Sequence, residues 1–298
     1  MRKTLSRTED GVAFEDGVLT LSDGRELAWR WWGEEDGVPV LRIQGTPDSR
    51  LSRNPDPSVQ RGLGVRYLQA DRPGYGGSTR KPGRGIADVA QDYVELLDHF
   101  GIERIAAMGT SGGGPHVLAF AANHPERVSA VTVVVGATPL ARDEIEQLVG
   151  VNARGYELAA KGWEPLHEFL AEIRERLLSP EGMHGVLADA PAADRKIMED
   201  PAFQRMERES SAEALKQGAE GWTDESYAFI QPWDFDPAKV RAKVSWWHGD
   251  DDKNVPLSAA RRVIEKIGHV NLHVWHHEGH FVSITHDQEI VQELISRR

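Results

Sequence analysis

Three well-separated stretches carry residues that could act together in acyl transfer. Ser111 lies in GTSGGGP (residues 109–115), Asp252 in DDDKNVP (250–256) and His280 in EGHF (278–281). A serine hydroxyl is a poor nucleophile until a histidine takes its proton. The histidine in turn needs a carboxylate to fix its tautomer and stabilise the imidazolium. Gly109, Ser111 and Gly113 meet the spacing GxSxG. In that pattern a serine sits on a sharp strand-to-helix turn, and glycines two residues to either side relieve backbone crowding.

Other chemistries fit these residues less well. Gly109 and Gly114 match the glycines of GxxxxGK[ST], but Pro115 and His116 stand where the lysine and the magnesium-binding hydroxyl belong. The dinucleotide pattern GxGxxG fails because Ser111 and Val117 occupy glycine places in the two possible frames. Gly74-Tyr75-Gly76 fails likewise, with Thr79 in the last place. In HHEGH, His277 occupies the glutamate place of HExxH. In the acidic run starting at Asp250, Pro256 and Arg261 stand near or at places where a calcium loop needs very different chemistry, Arg261 falling at the place of its bidentate glutamate. No metal or cofactor is expected. Asp250 and Asp251 compete with Asp252, and His276 and His277 with His280; spacing alone leaves both choices open. The other histidines, among them His116, His184 and His248, read as surface or packing residues.

The elements that must position these residues follow from periodicity. Strands are expected at residues 18–22, 26–32, 38–43, 65–70, 104–109, 128–136, 243–249 and 271–277. Between them lie helical patterns, the clearest at 86–101, where Val89, Tyr93, Leu96, Leu97 and Phe100 share a face and a glycine ends the run. Strands alternating with helices imply parallel pairing by right-handed crossovers, hence a doubly wound α/β sheet. Residues 141–225 are charged and helix-favouring with no strand candidate. They read as an insertion over a core made of 1–140 and 226–298. The aromatic and methionine residues Trp163, Phe169, Met183, Met198, Phe203, Met206, Trp222 and Phe229 would form this insertion's own core or line an acyl pocket.

With GTSGG, HGDDDKNVP, EGHF, QGTP (44–47) and DRPGYGGS (71–78) on one chain, the sequence resembles the α/β-hydrolase family with a cap domain. The resemblance implies an eight-stranded, mostly parallel sheet with a helical cap. It favours Asp252 as the acid and His280 as the base. It also implies an oxyanion hole from the N–H after the nucleophile, at Gly112, and one from the loop after the third strand. Pro47 has no N–H, so Thr46 is the donor expected there. Gln44 stands where the family often has histidine. Asp71 and Arg72 belong to a turn taken as structural support.

A serine elbow excludes the carboxylate-nucleophile branches, epoxide hydrolases and haloalkane dehalogenases. Hydrolysis of a small-molecule carboxylic ester is the expected reaction. A peptidase resembling proline iminopeptidases comes second, and a receptor that retains the triad is the rival from another class.

Composition bounds the rest. The 298 residues, 40% hydrophobic and 28% charged, suffice for one large core. A net charge of -12 disfavours nucleic acid and anionic membranes as partners, leaving a small acyl substrate. The chain has no cysteine, which excludes disulfides and thiolate chemistry. The basic N-terminus has no apolar run behind it, and no stretch approaches the roughly 20 apolar residues of a membrane helix, so a cytoplasmic location is expected.

Overall fold

The computed structural model describes residues 6–8, 11–148, 150–180, 182 and 190–298; Met183 and His184 lie outside them. Its strands are β1 (Ser6–Arg7), β2 (Ala13–Thr20), β3 (Glu26–Gly33), β4 (Val38–Ile43), β5 (Val65–Ala70), β6 (Ile105–Thr110), β7 (Val128–Val134), β8 (Lys243–Gly249) and β9 (Val270–Trp275). They form one sheet in the order β1-β2-β3-β5-β4-β6-β7-β8-β9. The pairs β1–β2, β2–β3 and β3–β5 are antiparallel, and every pair from β5–β4 onward is parallel.

Among the described residues the sheet therefore has nine strands where eight were expected. The extra one, Ser6–Arg7, is too short to carry a periodicity. The first expected strand, 18–22, runs instead from Ala13 to Thr20. Its length is set by pairing with β3, from Phe14 opposite Trp32 to Thr20 opposite Glu26, rather than by its own apolar residues. Gly17 faces Trp29, whose ring lies where a Cβ on Gly17 would have to go.

The helices are α1 (Pro57–Gln60), α2 (Asp88–His99), α3 (Gly113–Asn123), α4 (Arg142–Ile145), α5 (Gly150–Ala159), α6 (Trp163–Leu177), α7 (Ala192–Met198), α8 (Pro201–Ala214), α9 (Glu220–Phe229), α10 (Leu257–Ile267) and α11 (Val282–Ser296). Strand alternation sorts the core onto two faces. Trp29, Trp31 and Trp246 pack with residues of α2, α3 and α10, while their neighbours Trp32 and Trp247 pack with Ile290, Val291 and Leu294 of α11.

Among the described residues everything between β7 and β8 is helix or loop, and it has a core of its own in which Leu158, Leu166, Leu170, Ile173, Leu177, Leu215 and Trp222 meet. A smaller cluster, Met198, Phe203 and Met206, packs on Phe281 and Ile284 at the start of α11. Helix α9 crosses the expected boundary at 225/226, because its charged face is buried against the core.

The chain leaves β4 toward β5 on one side and returns to β6 on the other. This reversal opens a crevice beyond the C-terminal ends of β4 and β6, where open α/β sheets bind ligands.

Candidate functional site

Ser111 occupies that crevice. It follows β6 directly, and its backbone has φ 51°, in the left-handed region that costs a non-glycine residue about 1–3 kcal/mol. Three backbone hydrogen bonds hold it there: Ser111 N to Val134 O at 2.9 Å, and Gly114 N and Ala137 N to Ser111 O at 2.9 and 2.8 Å. The glycines answer to crowding. A Cβ on Gly109 would overlap the carbonyl of Gly113, one on Gly113 the carbonyl of Ile43, and one on Gly114 would lie 2.6 Å from the Cα of Gly136.

Asp252 follows β8 and His280 follows β9, and the sheet brings both to Ser111. Ser111 Oγ lies 2.9 Å from His280 Nε2, and His280 Nδ1 lies 2.8 Å from Asp252 Oδ2. The other carboxylate oxygen of Asp252 accepts from Asn254 N at 2.8 Å and Val255 N at 2.9 Å, which fixes its plane. The competing residues point elsewhere. Asp250 takes His276 Nδ1 at 2.7 Å, and Asp251 pairs with Lys253 at 2.8 Å. His248, buried behind Asp252, gives Nε2 to the Val255 carbonyl at 2.9 Å.

Burial alone would push the Asp252 carboxyl up, but the adjacent His280 holds it below the usual aspartate range. Burial works to lower His280, yet the charge and hydrogen bond of Asp252, with a further contribution from Asp194, raise it above the ordinary histidine value.

The loop after β4 closes the other side. Gly45 lies beside Ser111, where a Cβ on it would stand in ordinary contact at 3.6 Å from the Ser111 Cβ, and the Thr46 side chain fills the space that a Cβ on Gly112 would need. The backbone N–H groups of Thr46 and Gly112 have no hydrogen-bond partner among the described residues. Gln44 donates Nε2 to the Ala70 carbonyl at 2.8 Å, tying this loop to the end of β5.

Beneath the loop lies a buried ionic cluster that sequence reasoning missed. Glu225 of α9 has no solvent exposure. It accepts from Arg72 at 2.6 and 2.9 Å, Arg84 at 2.8 Å, Thr46 Oγ1 at 2.6 Å and Tyr75 at 2.9 Å, with His116 Nε2 at 2.9 Å. Burial opposes its charge, but the two guanidiniums outweigh burial and hold its carboxyl well below the glutamate range. Arg72 also donates to the carbonyls of Gln44 and Gly45, both at 2.6 Å. Asp71 supports the neighbouring turn by accepting from Gly77 N at 3.0 Å and Arg50 N at 2.7 Å.

A cavity of about 280 Å³ opens from Ser111, Gly112, Thr46 and His280. Leu166, Leu170, Ile173 and Leu177 of α6 line it, as do Phe203, Met206, Trp222 and Phe229. Trp163 instead stacks on His167, Phe169 packs in the helices' own core, and Met198 is buried beside Phe203. Among the described residues no group of three or more His, Cys, Asp or Glu side chains is arranged to hold a metal, and no helix is long and apolar enough to cross a membrane.

The comparison with known proteins agrees with this architecture. The family model for the alpha/beta hydrolase fold matches residues 38–287. The chain belongs to the α/β-hydrolase fold family. Its relatives include the Uncharacterized hydrolase YcgS of Bacillus subtilis, 37% identical over 117 residues, a match spanning 39% of this chain and 40% of that protein. A probable proline iminopeptidase of Streptomyces coelicolor is 28% identical over 80% of this chain and 71% of its own. Among solved structures, a carboxylesterase of Nitrososphaera gargenis superposes with a TM-score of 0.68 at 20% identity, covering 94% of this chain and 97% of that one; at this identity the likeness is one of fold.

Proposed function

We propose that this α/β hydrolase is a serine hydrolase that cleaves a small-molecule carboxylic ester. The observation that carries the reading is the chain Ser111 Oγ, His280, Asp252, joined at 2.9 and 2.8 Å and opening on a largely apolar cavity. Ser111 is the nucleophile. His280 Nε2 takes its proton as Oγ bonds to the ester carbonyl carbon, and Asp252 holds the imidazolium that forms. The N–H groups of Thr46 and Gly112 receive the negative oxygen of the tetrahedral intermediate. The intermediate collapses as His280 returns the proton to the departing alcohol, leaving an acyl-enzyme. Water, deprotonated by His280, then releases the acid and restores Ser111.

The helices between β7 and β8 act as a cap whose inner face, above all that of α6, receives the acyl chain. Initial rates on p-nitrophenyl esters from acetyl to palmitoyl, with Ser111→Ala as control, test the reading. Ester turnover lost in the variant supports it, and turnover retained in the variant overturns it.

A second reading, an aminopeptidase for small N-terminal residues, draws on Asp48 and Glu207, two carboxyls that line the same cavity and suit a substrate ammonium group. Burial, and then the charge of Asp48, push Glu207 up to about 8, so the pair carries less than two charges at neutral pH, and esters take precedence. Aminoacyl p-nitroanilides in the same panel separate the two.

A further inference from the structure

The carboxylate of Asp194 reaches from α7 to the loop that carries His280. Its Oδ2 accepts from the His280 backbone N–H at 2.9 Å and its Oδ1 from the Phe281 N–H at 3.0 Å. Those two N–H groups lie just ahead of α11, whose N-cap residue Phe281 offers no side-chain cap. Asp194 thus serves the end of α11 as a capping carboxylate would, except that it comes from another part of the chain. Asp194 is 2% exposed, and Gly279 makes room for it, since a Cβ at that position would overlap the Asp194 carboxylate.

We propose that Asp194 is a positioning residue for His280: through it the helices between β7 and β8 hold the imidazole in line with Ser111 only while α7 is seated on the core. The proposal rests on the triad reading and adds that the base is assembled partly by the cap. Helix α7 is fixed to the core at the same place by apolar contact, with Met198 in the cluster that packs on Phe281 and Ile284. An open cap would therefore remove both anchors of the His280 loop together, leaving Ser111 without an aligned base.

The charged groups facing His280 are Asp252, from the loop after β8, and Asp194; His248 stands behind Asp252 at 3.6 Å. Removing Asp194 takes away one of the two negative charges that favour the imidazolium, so the histidine should titrate at lower pH. The charge alone moves that titration, so alignment is read separately, from the labelling rate on the high-pH plateau where His280 is neutral in every variant.

The test needs no knowledge of the natural substrate. The second-order rate of labelling by a fluorophosphonate is measured from pH 5 to 9 for the wild type, Asp194→Ala, Asp194→Asn and Ser111→Ala. The expected result is labelling roughly 10- to 100-fold slower in Asp194→Ala, the scale of a misplaced catalytic group, with the acid limb of the pH profile moved to lower pH. Asp194→Asn, which keeps the shape but loses the charge, should show the same direction of shift with a smaller loss of rate. Gly279→Ala should slow labelling in the wild type but add little once Asp194 is alanine. If Asp194→Ala does not fold, Asp194→Asn carries the test. A wild-type plateau rate in Asp194→Asn, wherever its acid limb falls, overturns the proposal while leaving the triad intact. Undiminished labelling of Ser111→Ala overturns the triad reading, and this proposal with it.

Discussion

Arg72 holds the carbonyl oxygen of Gly45 at 2.6 Å. That oxygen belongs to the same trans peptide plane as the Thr46 N–H, and in a trans peptide C=O and N–H point in opposite directions. The guanidinium therefore turns the Thr46 N–H away from itself, and Glu225 keeps the guanidinium in place with two hydrogen bonds. If Thr46 completes an oxyanion hole, its orientation is set by an ion pair that never touches substrate.

Replacing Arg72 by lysine should lower kcat by about 10- to 100-fold with KM little changed, because one ammonium cannot hold two carbonyls and a carboxylate in a fixed fork. Steady-state kinetics on the best ester of the panel reads this directly. A rise in KM at constant kcat would mean that Arg72 shapes the pocket and not the hole.

Glu225→Gln leaves Arg72 and Arg84 buried beside a neutral amide. Breaking a buried pair from one side costs about 3–5 kcal/mol. Urea unfolding should show a loss of that order, with a smaller cost for Glu213→Gln, whose carboxylate is partly exposed.

The pH dependence has a definite sign. His280 must be neutral to act as base, and Asp252 raises its pKa above the ordinary histidine value. The acid limb of kcat/KM should therefore fall above pH 6.5, with activity rising as the pH increases through it. Asp252→Asn removes the charge that raises His280, so the limb should move to lower pH while the plateau drops by about 10⁴.

Much of this was legible in the sequence, and the limits are physical. The elbow could be read because crowding demands its glycines, with Gly113 against the end of β4, Gly114 against Gly136 and Gly112 against the side chain of Thr46, and such a run leaves a local signature. Asp252 stood beside two other aspartates, and only the family likeness chose among them; the structure sends Asp250 to His276 and Asp251 to Lys253. Glu225 left no local trace, because its partners Arg72, Arg84 and His116 lie 153, 141 and 109 residues away. His116, read only as a surface or packing residue, is buried against that carboxylate. Helix α9 looked like more of the charged insertion because a charge neutralised by distant partners is spelled like an exposed one. Asp194 was hidden for the same reason.

The cavity makes its own prediction. Leu170 of α6 is 3% exposed and lines it. Leu170→Ala should cost about 2–5 kcal/mol of stability and shift the chain-length optimum toward longer acyl groups, each added methylene in an apolar pocket being worth about 1 kcal/mol. An unchanged optimum would place the acyl chain elsewhere.

The most direct measurement is mass spectrometry of the protein after a fluorophosphonate reaction, with the modified peptide sequenced. One adduct per chain, located on Ser111 and absent or greatly slowed in His280→Ala, is the expected result. An adduct on another residue, or none in folded wild-type protein, would contradict the assignment of Ser111 as nucleophile.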